Sequence, residues 1–286
     1  MDVGVGSFVL ANSLTAESHL RKSDLLGTLR SAIPMALLGL VRLVSVKSSN
    51  YQEHVTEYGV HWNFFCTLAV LPLTAVLGKE LVGTRRLGVL GAILAVTYQL
   101  LLLGGLEHYI IEAPRVDLIS MNKEGICSLF GYTSIFFLGV ALGGELMRAK
   151  PLPEWYGTVG RLLLLDAGLW ALLLALDFGG LEVSRRMANL PYVVWVLAYN
   201  IPLLVGMLYV DLAVGFARPP VLYEAINRNQ LIVFLVANLA TGAVNLSMRT
   251  LNATVPVALV ILGVYAFTIS ALAWLLHTLD LTLKFW

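Results

Sequence analysis

The chain has 286 residues, of which 58% are hydrophobic and only 13% charged, with a formal net charge of +1. Soluble domains carry about 25% charged residues, so a mean hydropathy of +0.80 excludes an ordinary soluble protein. The near-neutral balance, with no long basic run, also excludes nucleic-acid binding through an electrostatic footprint.

Eight hydrophobic runs follow one another at 26–46, 61–78, 87–107, 129–148, 160–178, 190–214, 231–248 and 254–276. A bilayer core of roughly 30 Å takes about 20 helical residues. The expected fold is therefore an all-α integral membrane protein, a polytopic bundle of about eight transmembrane helices forming one domain over 1–286. The start, Met1-Asp-Val-Gly-Val-Gly6, lacks the positive n-region of a cleaved signal. If residue 1 and the C-terminus share one side, twelve Lys and Arg fall on that side and seven on the other. The positive-inside bias then makes the side of residue 1 cytoplasmic. Pro72, Pro202 and Pro256 lie in or beside spans, where they can kink or locally unwind a helix.

The polar residues gather on the other side. Lys47-Ser-Ser-Asn-Tyr-Gln-Glu-His-Val-Thr-Glu-Tyr-Gly-Val-His-Trp-Asn63 places two histidines, Asn50, Tyr51, Glu53 and Asn63 between two spans. His54, Glu57 and His61 are three and four apart, which on a helix puts them on one face. A carboxylate beside an imidazole orients the ring and raises its basicity, as a general base acting on a hydroxyl requires. Two histidines and a glutamate also suit a divalent ion, but no His-rich box recurs, so no metal is expected. Hydrogen bonds at a membrane rim are the plain structural alternative.

Asn122-Lys-Glu-Gly-Ile126 precedes the fourth span, where Lys123 suits a phosphate or carboxylate and Gly125 permits close backbone approach. Ser184-Arg-Arg-Met-Ala-Asn-Leu190 precedes the sixth. Its paired arginines run against the inside-positive bias and call either for a lipid phosphate or for pairing with Glu182. Asp166 lies deep in the fifth span, as a relay group or a partner of Arg161, while Asn238, Thr241 and Asn245 share a face of the seventh as interhelical glue. Cys66 and Cys127 read as small packing residues near helix ends, with a disulfide conceivable.

Tyr51-Gln-Glu-His-Val-Thr-Glu-Tyr-Gly-Val-His-Trp-Asn-Phe-Phe65, Asn122-Lys-Glu-Gly-Ile126, Ser184-Arg-Arg-Met-Ala-Asn-Leu190, Leu222-Tyr-Glu-Ala-Ile-Asn-Arg-Asn-Gln-Leu231, Asn238-Leu-Ala-Thr-Gly-Ala-Val-Asn245 and the ending Lys284-Phe-Trp286 resemble, in this order, the GPI-anchor inositol acyltransferases of the PIG-W family. The resemblance implies a multi-pass endoplasmic reticulum enzyme that moves a fatty acyl group from acyl-CoA, a co-substrate, to the inositol of glucosaminyl-phosphatidylinositol. No cofactor is implied, and the shared motifs would face the lumen. It implies His54, Glu57 and His61 as catalytic candidates. Asn50, Tyr51, Glu53, Asn63, Asn122, Lys123, Glu124, Arg185, Arg186 and Asn189 become candidates for substrate binding, with Lys123 and both arginines near the lipid phosphate. The family also carries an N-terminal third with an Asp-Phe-Pro stretch and a Lys-Thr-Glu-x-Tyr-Gly-Thr-Gly stretch ahead of the position matching Met1. Neither is in this sequence, so the chain is expected to be the C-terminal two-thirds of a longer architecture. A lipid transporter or scramblase, suggested by the proline-interrupted spans and Asp166, and a non-catalytic membrane subunit are the alternatives.

Overall fold

The computed structural model describes residues 2–48, 55–215 and 219–283. All regular structure among them is helical, and eight helices are long and apolar enough to cross a membrane. The protein is a multi-pass membrane protein. Its contacts divide the chain into two units, 1–213 and 214–286.

The first unit begins with α1 (Asp2–Leu14), followed by a short helix over Ala16–Leu20. Then come α2 (Leu25–Ser48), α3 (Phe64–Val82) and α4 (Leu87–Leu101). A π-helical turn, Leu102–Leu106, carries α4 into a last stretch over Glu107–Glu112. Gly105 sits there at φ +114°, a conformation that costs glycine little. α5 (Lys123–Leu146), α6 (Leu152–Phe178) and α7 (Leu190–Val214) complete the unit.

α5 is the central helix, with two thirds of its most apolar window buried. Tyr132, Ile135, Phe137 and Val140 pack there against Val9 and Leu10 of α1 and Tyr192 and Val196 of α7. Glycines set the spacing. A Cβ at Gly143 would overlap the Leu14 carbonyl, one at Gly139 the Ser13 hydroxyl, and one at Gly131 the carbonyl of Ala188. Gly139 and Gly143 are the small-xxx-small pattern that lets two membrane helices approach at backbone distance.

α1 departs from the sequence expectation. Its 13 residues span about 20 Å, too short to register as a crossing by length. It nevertheless runs alongside α5 in the same direction. Asp2 meets Arg185, just ahead of α7 on the Lys123 side, and Leu14 meets Gly143 near the Leu146 end. Residue 2 therefore lies on the side of the polar clusters, not on the side of Arg21 and Lys22 where the charge count placed residue 1. The rest of the alternation is unaffected, because α1 itself leads across to Arg21.

The second unit is α8 (Val221–Arg228), α9 (Gln230–Ser247) and α10 (Val255–Thr278). Arg228 pairs with Asp280 at 2.7 Å, and the Asn229 side chain bonds to the backbone of Leu281 and Leu283. These ties fasten the end of α10 to the start of α9. Asn238 and Thr241 bond to carbonyls one turn back on their own helix.

Candidate functional site

The connection that follows α2 re-enters the described residues as a single helical turn, Val55–Tyr58. Gly59, at φ +113°, ends it. Glu57 and His61 thus do not share a helical face, which corrects the three-and-four spacing argument. Asn50, Tyr51, Glu53 and His54 lie outside the described residues.

The segment after Gly59 is fastened to the first turn of α5, and four consecutive residues there hold four different things. Asn122 accepts the backbone N–H of His61 at 2.8 Å and of Trp62 at 2.9 Å through one oxygen. Its nitrogen donates to the Leu118 carbonyl and faces His61 Nδ1 at 3.4 Å. Lys123, 2% exposed, donates to the carbonyls of Tyr109 at 3.0 Å and Ala113 at 2.5 Å. The ammonium thus neutralises the C-terminal pole of the Glu107–Glu112 helix. Glu124, fully buried, accepts both arms of Arg115 at 2.5 and 3.0 Å and Arg186 at 2.9 Å. Gly125 leaves room for the Trp62 ring and the Tyr58 carbonyl.

Asn63 is equally occupied, capping α3 through Phe65 N–H at 3.0 Å and donating to the Gly39 carbonyl of α2 at 2.9 Å. Asn189 closes its own loop by accepting from Ser184 and Tyr192 and donating to the Glu182 carbonyl. Tyr98 donates to the Met187 carbonyl at 2.9 Å, and Gln99 accepts from Leu190. Asp117 caps the turn over Leu118–Met121, and its hydrogen bonds from Ser120 hold its carboxyl below the ordinary range. Arg161 pairs with Glu145, not with Asp166, whose Oδ1 has no hydrogen-bond partner among the described residues. Cys66 and Cys127 are free thiols.

The arginine doublet splits in two directions, and neither residue meets the Glu182 carboxylate. Arg186 turns to the buried Glu124. Arg185 turns to the exposed carboxylates and joins Asp2 of α1 at 3.1 Å to Glu57 at 2.6 Å. Burial disfavours its charge, but Glu57 and then Tyr58, Tyr132 and Asp2 outweigh that and hold the guanidinium above its usual range. Burial pushes the neighbouring Tyr58 phenol up against the opposing pull of Arg185, so it stays neutral.

Around Arg185 lies a cavity of about 490 Å³ lined by Asp2, Thr56, Glu57, Val183, Ser184, Arg185, Arg186 and Trp195. The structure therefore brings together Glu57, Arg185 and Arg186 of the predicted residues. Asn63, Asn122, Lys123, Glu124 and Asn189 are occupied in tying loops and helices together, and His61, against Asn122, does not line the cavity. Asp2, Thr56, Ser184 and Trp195 escaped sequence reasoning. Trp195 carried a signal, an aromatic residue about one and a half turns inside the start of a span, near where amphipathic rings settle at the membrane boundary.

The fold and site define a helical multi-pass membrane protein with a polar cavity at one rim that a single aromatic ring, Trp195, helps to line. The GWT1 family profile matches residues 1–276, and the chain belongs to that family. It is 38% identical to the phosphatidylinositol-glycan biosynthesis class W protein of Dictyostelium discoideum, over 93% of this chain and 54% of that protein. It is 37% identical to GPI-anchored wall transfer protein 1 of Cryptococcus neoformans, over 96% of this chain and 55% of the relative. With the glucosaminyl-phosphatidylinositol-acyltransferase PIGW of Bos taurus it shares 33%, over the whole chain and 67% of that protein. The chain thus spans between about half and two thirds of the length of these curated relatives.

Proposed function

We propose that the chain carries the acceptor-headgroup site of an inositol acyltransferase in GPI-anchor biosynthesis, a multi-pass enzyme of the endoplasmic reticulum membrane. The observation that carries the reading is the rim cavity. One aromatic face, two hydroxyls, two carboxylates and two guanidinium groups around about 490 Å³ suit a polyol headgroup better than an acyl chain, because sugars stack on rings and exchange hydrogen bonds with charged groups. The name of the bovine relative supplies the matching chemistry, transfer of an acyl group to glucosaminyl-phosphatidylinositol.

In the reaction an inositol hydroxyl attacks the thioester carbonyl of acyl-CoA. The new C–O ester bond forms as the C–S bond breaks, and the hydroxyl proton passes by way of a base to the departing thiolate. His54, three residues ahead of Glu57 in the sequence, is the base candidate. Glu57 is a poor base while it is paired to Arg185 at 2.6 Å, and its part is to bind and orient. The test is acyl transfer from labelled palmitoyl-CoA to glucosaminyl-phosphatidylinositol in membranes carrying the family-length protein. His54→Ala should lower turnover by roughly 10²–10⁴-fold; unchanged turnover removes His54 from the mechanism.

A further inference from the structure

The cations at this rim differ in what they have left to offer. Lys123 is enclosed and bonded to two carbonyls. Arg115 and Arg186 are bound to the buried Glu124; Arg186 also lines the cavity and keeps an Nε–H with no hydrogen-bond partner among the described residues, but that donor is itself buried. Arg185 alone of the four lines the cavity with partners that are themselves open to it, Glu57 with a side chain 46% exposed and Asp2 with one 65% exposed. Two of its five N–H donors meet those carboxylates.

We propose that Arg185 is the phosphodiester ligand of the acceptor site, and that an arriving lipid phosphate takes the place of Glu57 on the guanidinium. The inference rests on the headgroup reading above and gives it a sequence of events. In the empty cavity Glu57 is held by Arg185. When the phosphate forms a forked pair with the guanidinium, Glu57 is released and turns to the hydroxyls of the adjoining ring. Asp2 stays on Nε and keeps the fork oriented. Binding and positioning are thereby linked, because the carboxylate is free only when the phosphate is in place.

Glycerophosphoinositol, a soluble phosphodiester, and myo-inositol, which lacks the phosphate, separate the parts of this scheme. Each is titrated into the membrane-embedded protein at constant ionic strength, with Trp195 fluorescence or calorimetry as the readout. Glycerophosphoinositol should bind at least 10-fold more tightly than myo-inositol. Arg185→Gln should weaken it by roughly 10- to 100-fold, the size of a lost charge-assisted pair, while myo-inositol should bind no more weakly, since the freed Glu57 can meet its hydroxyls. Glu57→Gln should tighten glycerophosphoinositol severalfold, since the competing carboxylate is gone, and this variant keeps the test decisive if Arg185→Gln does not fold. Equal binding of the two ligands, or a Glu57→Gln variant that binds the diester more weakly, overturns the exchange while leaving the headgroup site standing. Inorganic phosphate binding as tightly as the diester overturns the assignment to a lipid phosphate. Binding of neither inositol ligand removes the headgroup reading and this inference with it.

Discussion

Helix α5 ends twice on the same motif. Near its start Glu124 takes Arg115 and Arg186; near its finish Glu145 takes Lys150 and Arg161, both at 2.7 Å. The geometry is alike and the surroundings are opposite. Glu124 is fully buried, whereas the Glu145 side chain is 40% exposed. The cations of Glu124 come from 9 and 62 residues away in sequence, those of Glu145 from 5 and 16. One carboxylate holds a loop and a helix entry together under a cavity; the other staples a turn to its neighbouring helix in contact with water. An ion pair counts for what its removal leaves behind. Taking Glu124 away leaves two guanidinium groups, 26% and 30% exposed, without the buried carboxylate that joins them, while taking Glu145 away leaves Arg161 to solvent and Lys150 to Thr158 and the Trp155 ring.

The largest effect should therefore come from Glu124→Ala. Breaking one partner of a buried charge group costs about 3–5 kcal/mol, a large share of the stability of most domains. The variant should lose the monodisperse state in detergent, and hydrogen exchange over 109–124 and 184–189 should rise. A melting temperature equal to the parent's would show that the buried and exposed carboxylates are equivalent and break the comparison.

Next in size is Gly143→Leu. The leucine side chain has no room beside the Leu14 carbonyl, and overpacking of this kind costs about 1–3 kcal/mol. Because the strain falls on α1, the expected outcome is local. α1 should become accessible, and a cysteine placed at the buried Ser13 should react with a water-soluble maleimide. Since Asp2 leaves Arg185 when α1 lifts, the cavity should lose a wall as well. Unaltered labelling would mean that α1 docks without its glycine contacts.

Much of this architecture was legible in the sequence, and the limits are physical. Every predicted hydrophobic run matches a spanning helix, since twenty apolar residues have no other stable place to go. The rim motifs were legible as polar islands among apolar runs. Their division of labour was not, because nothing in Asn-Lys-Glu-Gly distinguishes a side chain facing substrate from one tied to a carbonyl. That distinction depends on partners such as Arg115 and the carbonyls of Tyr109 and Ala113, which the motif itself does not announce. Helix α1 was missed because 13 residues fall below the length signal. The spacing of Gly139 and Gly143 was the available clue that a backbone packs there.

The smallest expected effect sharpens the comparison from its other side. Glu145→Gln removes the charge but keeps the shape, so Lys150 retains its bond to the Thr158 hydroxyl at 3.0 Å and its place over the Trp155 ring. Arg161, with a side chain 66% exposed, also keeps a bond to Thr158. Each cation has a second partner, and although the Lys150 side chain is only 5% exposed the new amide keeps an acceptor beside it, so the change should cost about 1 kcal/mol, with the Arg161 part falling as salt is added. Melting curves at two ionic strengths check this directly. A loss as large as that of Glu124→Ala, or one that salt does not reduce, would mean that the Leu146 end of α5 is buried against something in the membrane. Burial would then no longer separate the two carboxylates, and the turn holding Lys150 would join the rim cavity as a place where a single charge fixes the arrangement of helices.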